Sequence, residues 1–222
     1  MTDPFNSPST KVHQGGYTLV ALLAVMTLMA LFALAAAPTI SQQAQREREK
    51  EAIYRGEQVA DAIREYYIYR SGTLGITGDQ ALPTSMDQLL EGIPVPGGSK
   101  KRQILRASAS HDPLSSSGEW AFARPRTQKL VEFQRALMLY SGNAVPIPRV
   151  RQMADLQRLM APAMTNVLGI PVTKTPTVND DASDESSGPF IGVTSQSQKK
   201  SVMQYYGIEH HNEWIFTPLF RW

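Results

Sequence analysis

The sequence predicts an α+β fold: a long N-terminal membrane-spanning α-helix packed on a small antiparallel β-sheet, with a helical insertion. Three observations carry this. An uncharged apolar run is followed without a break by an amphipathic stretch. Two short aromatic segments, Glu119-Trp120-Ala121-Phe122 and Glu213-Trp214-Ile215-Phe216, have the alternation of strands. Between them lie two blocks with helical spacing.

The apolar run comes first. No Asp, Glu, Lys or Arg occurs between Lys11 and Arg46. As a helix, Tyr17 to Ile40 measures about 36 Å, enough to cross a hydrocarbon core of about 30 Å. A helix apolar on every side must be covered on every side, which predicts a transmembrane half at 17–40. Residues 1–16 are a polar leader containing Pro4 and Pro8. Lys11 stands alone before the run, whereas Arg46, Arg48 and Lys50 follow it. Taken literally, the positive-inside rule puts the C-terminal part in the cytoplasm.

From 41 to 70 the helix continues as an amphipathic half, with no proline and only Gly56 as a weak breaker. Ile53, Gly56, Val59, Ala60, Ile63, Tyr66 and Tyr67 recur at three- and four-residue spacing and predict packing against the protein's own globular part. Glu51 with Arg55 and Asp61 with Arg64 are expected pairs on the polar sides. The rod from Tyr17 to Arg70 is expected to be about 80 Å long.

The globular part is assigned to 71–126 and 189–222. Gly72, Gly75 and Gly78 mark a loop. A short helix follows, capped by Ser85 with Gln88 and ended by Gly92. Lys100-Lys101-Arg102 is expected to be a solvated face. The two aromatic strands are expected to pair, with a third strand at Phe190 to Thr194 and a short helix from Lys199 to Tyr206. The insertion covers 127–170, where Leu130, Phe133, Leu137 and Met138, then Met153, Leu156, Leu159 and Met160, predict a helical hairpin split at Pro146 and Pro148. Residues 171–188, rich in Thr, Ser and Asp, are expected to be a flexible linker.

Composition excludes several functions. The chain of 222 residues has 22 Lys and Arg against 20 Asp and Glu, and no cysteine. Disulfides and thiol chemistry are therefore absent, and the charge balance gives no argument for nucleic acid. His13 lies in the leader, and His210 and His211 point to opposite faces if they sit in a strand. His111-Asp112 has no nucleophile at a suitable spacing, so no enzyme and no cofactor is expected. Asp180, Asp181, Asp184 and Glu185 are weak calcium candidates, but their spacing does not match an EF-hand loop.

The junction Gly15-Gly16-Tyr17-Thr18-Leu19, directly before the apolar run, resembles the processing site of type IV prepilins and type II secretion pseudopilins. The resemblance covers about residues 15–123 and 189–217. It includes the Leu-Pro-Thr-Ser turn at 82–85, the Asp112-Pro113 loop and the two Glu-Trp strands. It implies cleavage after Gly16 by a prepilin peptidase, N-methylation of Tyr17 and a helix kink at Pro38. It also implies partnership with other pilin-like subunits and an inner-membrane assembly platform. The C-terminal domain is then periplasmic, against the literal charge rule, because the peptidase needs Gly16 on the cytoplasmic side. The family usually has Glu at the fifth mature position, where this chain has Ala21. That departure, like the insertion, is shared with minor or tip subunits.

Two other readings stand beside it. One is a single-pass membrane-anchored periplasmic binding or sensor protein. The other is an exported protein cut near Ala35 or Ala37.

Overall fold

The computed structural model describes residues 15–95, 97, 100–161 and 188–221, without the side chains of 15, 16 and 33–40. All but the last residue of the linker expected at 171–188, and the calcium candidates Asp180, Asp181 and Asp184, lie outside the described residues. The chain divides into two units, Met1–Ala44 and Gln45–Trp222.

Helix α1 runs over Gly15–Thr73 and is unbroken through Pro38. In the first unit every described side chain from Tyr17 to Phe32 is exposed. Among the described residues, no helix is long and apolar enough to cross a membrane. This corrects two expectations, the membrane-spanning half at 17–40 and the single-pass inner-membrane placement with a periplasmic domain.

In the second unit, α1 is the spine of the core. Ala52, Val59, Ala60, Ile63 and Tyr67 are each no more than 2% exposed. The stripe buries because 3.6 residues per turn bring these positions to one face. Its polar sides carry the Glu51–Arg55 pair at 2.7 Å and the Asp61–Arg64 pair at 3.1 Å.

Helix α2 spans Met86–Glu91. Ser85 occupies the cap position, but its side chain makes no cap bond. The reciprocal bonding sits one residue earlier: Thr84 N–H donates to Gln88 Oε1 at 3.0 Å, and Gln88 Nε2 donates to Thr84 Oγ1 at 2.9 Å. Strands β1 (Ile93–Pro94) and β2 (Lys101–Arg102) form a small antiparallel ribbon. There the basic cluster is partly paired, Lys101 with Glu91 and Arg102 with Glu65.

The central sheet has three antiparallel strands in the order β3 (Ala121–Ala123), β4 (Gly192–Thr194), β7 (Ile215–Phe216). The two aromatic strands therefore do not pair with each other; each flanks β4. Residues 190–195 are buried throughout, as a middle strand covered on both faces must be.

The segment expected as a helix at 199–206 is instead strand β5 (Lys200–Tyr205), paired with β6 (Ile208–His210). The turn between them decides this. Tyr206 and Gly207 both have positive φ, 51° and 78°, the signature of a two-residue hairpin turn. The insertion forms α3 (Gln128–Tyr140) and α4 (Arg151–Met160), with Leu130, Phe133, Leu137, Met153, Leu156 and Met160 in the core.

Candidate functional site

Of the processing and assembly residues expected from sequence, Tyr17 is 82% exposed, near the start of α1. Ala21 is exposed one turn further on. Gly16 lies within α1, but its environment is outside the described residues, as is the side chain of Pro38.

The apolar helix carries a seam. Leu19, Leu22, Leu23, Met26, Thr27 and Ala30 line a shallow groove of about 340 Å³ along α1. Their spacing is that of one helical face, and the small Thr27 and Ala30 leave hollows between larger neighbours. Leu22 is 59% exposed, Leu23 61% and Met26 64%.

The second unit holds a feature that sequence reasoning missed. Glu49 is fully buried. Its Oε1 accepts from Val202 N–H at 2.9 Å and from Gln45 Nε2 at 2.7 Å. Its Oε2 accepts from Met203 N–H at 2.7 Å. His211 Nε2 stands 2.9 Å from Oε1 and is itself 2% exposed. Burial alone would raise the Glu49 pKa, but these donors together outweigh it and lower the value below the usual carboxylate range. The other ring nitrogen, Nδ1, lies 3.3 Å from Ser197 Oγ, so the imidazole bridges the Glu49 carboxylate and a hydroxyl. The edge of the Trp214 ring system packs on His211 at 5.1 Å between centroids.

Glu49 falls seven residues before Gly56, in line with the buried stripe. An acidic residue on the core face was therefore visible in the periodicity, although its partners 150 residues later were not. The short 3₁₀ turn His211–Glu213 takes His211 out of β6 and turns it inward, while His210 remains exposed in the strand. Asp112 is also buried, where it accepts from Ser195 Oγ at 2.7 Å and Leu114 N–H at 2.9 Å. Its neighbour His111 stays exposed beside Ser110.

The C-terminus is held by a third polar group. Arg221 pairs with both Glu57 and Asp61 of α1, and the Tyr205 hydroxyl donates to Glu57 at 2.6 Å. Burial, and then the negative charge of Glu57, push the Tyr205 pKa up, so the phenol stays a donor. The Glu49 and Arg221 arrangements tie the later chain to α1. Among the described residues, no group of three or more His, Asp or Glu could hold a metal.

No family model, curated protein or solved structure matches the chain.

Proposed function

We propose that this chain is a structural subunit of a pilin-like filament, of the type II secretion or type IV pilus kind. In this reading a prepilin peptidase cleaves after Gly16, and α1 of one subunit packs against α1 of others. The observation that carries it is the seam of Leu19, Leu22, Leu23, Met26, Thr27 and Ala30, on a helix whose described side chains 17–32 are all exposed. A contiguous apolar surface of that extent marks an interaction site. A second copy of the same helix fits it by ridges and hollows. The Gly15-Gly16-Tyr17 junction supports the processing step, and Ala21 favours a minor or tip position.

The absence of native cysteine makes the test direct. A single Met26→Cys substitution in the chain expressed in its own cells yields a disulfide-linked dimer on oxidation if the seams meet. Mass spectrometry of the same material finds a methylated Tyr17 as the first residue, and Gly16→Ala blocks that maturation. A mature chain that retains Met1, or one that never crosslinks through position 26, overturns the proposal.

A further inference from the structure

An open pocket of about 700 Å³ lies between the 113–116 loop, the 196–199 loop and α1. Its size is that of a small-molecule site. Two cations line it, Arg48 and Lys199. Among the described residues neither side chain has an ion-pair or hydrogen-bond partner. The nearby acids do not neutralise them: the Glu49 and Asp112 carboxylates are both buried on inward-facing donors. No carboxylate lines the pocket.

The neutral lining groups are also oriented. Ser197 Oγ faces His211 Nδ1. The Ser197 hydroxyl can both donate and accept, so beyond that contact it keeps hydrogen-bonding capacity toward the pocket. Gln196 Oε1 is occupied by Ser117 Oγ at 3.1 Å, which leaves its amide N–H groups as donors. Ser116, also in the lining, makes no hydrogen bond among the described residues. Two cations together with amide and hydroxyl groups match a ligand that carries both an anionic group and hydroxyls.

We propose that this pocket binds an acidic saccharide, with the carboxylate of a uronic acid held by Arg48 and Lys199 and a sugar hydroxyl hydrogen-bonded to Ser197 Oγ. This does not rest on the filament reading. The two are separable, because the pocket belongs to the 45–222 unit and the seam to the first unit.

The test is a titration of the full chain with glucuronate at fixed ionic strength, followed by calorimetry. Saturable millimolar binding is expected, with neutral glucose at least tenfold weaker. Arg48→Gln and Lys199→Gln are each expected to weaken glucuronate at least tenfold, whereas Lys101→Gln, away from the pocket, leaves it unchanged. Both pocket substitutions are at exposed positions, and unchanged thermal melting verifies that the variants fold. Ser197→Ala is expected to weaken glucuronate without altering the affinity for acetate. No saturable binding, equal binding of glucose, or unchanged affinity in Arg48→Gln overturns the proposal. Inorganic phosphate binding as tightly as glucuronate overturns it as well, since that is a bare anion site with no use for the sugar.

Discussion

A Cβ built on Gly56 of α1 stands 2.3 Å from the ring of Phe216 in β7. The helix and the central sheet approach so closely there that only hydrogen fits. Phe216 cannot swing aside freely, since it is 1% exposed and packed edge-on to Trp120 at 5.8 Å and against Tyr205 at 5.1 Å. Gly56→Ala gains about 1 kcal/mol of helix propensity. It loses more by overpacking, which costs about 1–3 kcal/mol. A net destabilisation is expected, read as a lower urea midpoint at unchanged slope. A variant more stable than the parent would show that the contact relaxes without cost.

Gly56 also shows where sequence reading reaches its limit. The stripe from Ile53 to Tyr67 was legible because helical periodicity is local, and the two helices of the insertion were legible for the same reason. Gly56 looked only like a weak breaker, because the ring that requires it lies 160 residues away. The identity of the sheet's strands was legible, but not their order, since alternation does not say which strand is central. The helix expected from Lys199 to Tyr206 is instead strand β5 and the start of its turn, because Tyr206 and Gly207, both at positive φ, close a hairpin there. Glu49 and His211 were each visible, but pairing them requires the 3₁₀ turn after β6. The uncharged run at 17–40 predicts a span by its length, but among the described residues no helix is long and apolar enough to cross a membrane.

Glu49 makes stability depend on pH in a defined direction. Its folded pKa is lowered, so the unfolded chain binds a proton more readily than the folded one. The stabilisation is complete above the unfolded carboxyl value, near 4.3. It is lost as pH falls through the depressed folded value. Glu49→Gln removes the charge and turns an amide N–H₂ toward the N–H of Val202 or Met203. A loss of about 3 kcal/mol is expected at neutral pH. The variant is also expected to show a shallower fall in melting temperature between pH 5 and pH 3, followed by circular dichroism. An acid profile parallel to that of the parent would place the acid sensitivity elsewhere.

The β5–β6 turn sets the register that brings Val202 and Met203 to Glu49. Gly207→Ala forces a side chain into positive φ, at a cost of about 1 kcal/mol. The space itself is open, because the nearest atom to an added Cβ is Tyr140 Cδ2 at 3.8 Å. Any destabilisation therefore reports backbone strain alone. Faster amide exchange at Val202 and Met203 than elsewhere in the 45–222 unit is expected, and uniform exchange across that unit would show that the turn does not hold the hairpin.

Charge placed on the α1 seam tests assembly apart from folding. Met26 and Leu28 are 64% and 55% exposed, and two residues of helix place them about 200° apart. Met26→Asp puts a carboxylate at the centre of the groove lined by Leu22, Leu23 and Ala30, where a second helix would have to desolvate it. Leu28→Asp puts the same charge on the opposite face. The 45–222 unit contains neither position, so its melting temperature is expected to be unchanged in both. Sedimentation of the parent should show multimers that Met26→Asp disperses at least tenfold more readily than Leu28→Asp. Equal dispersal by both variants would mean that α1 associates through no particular face, and the seam would lose its role.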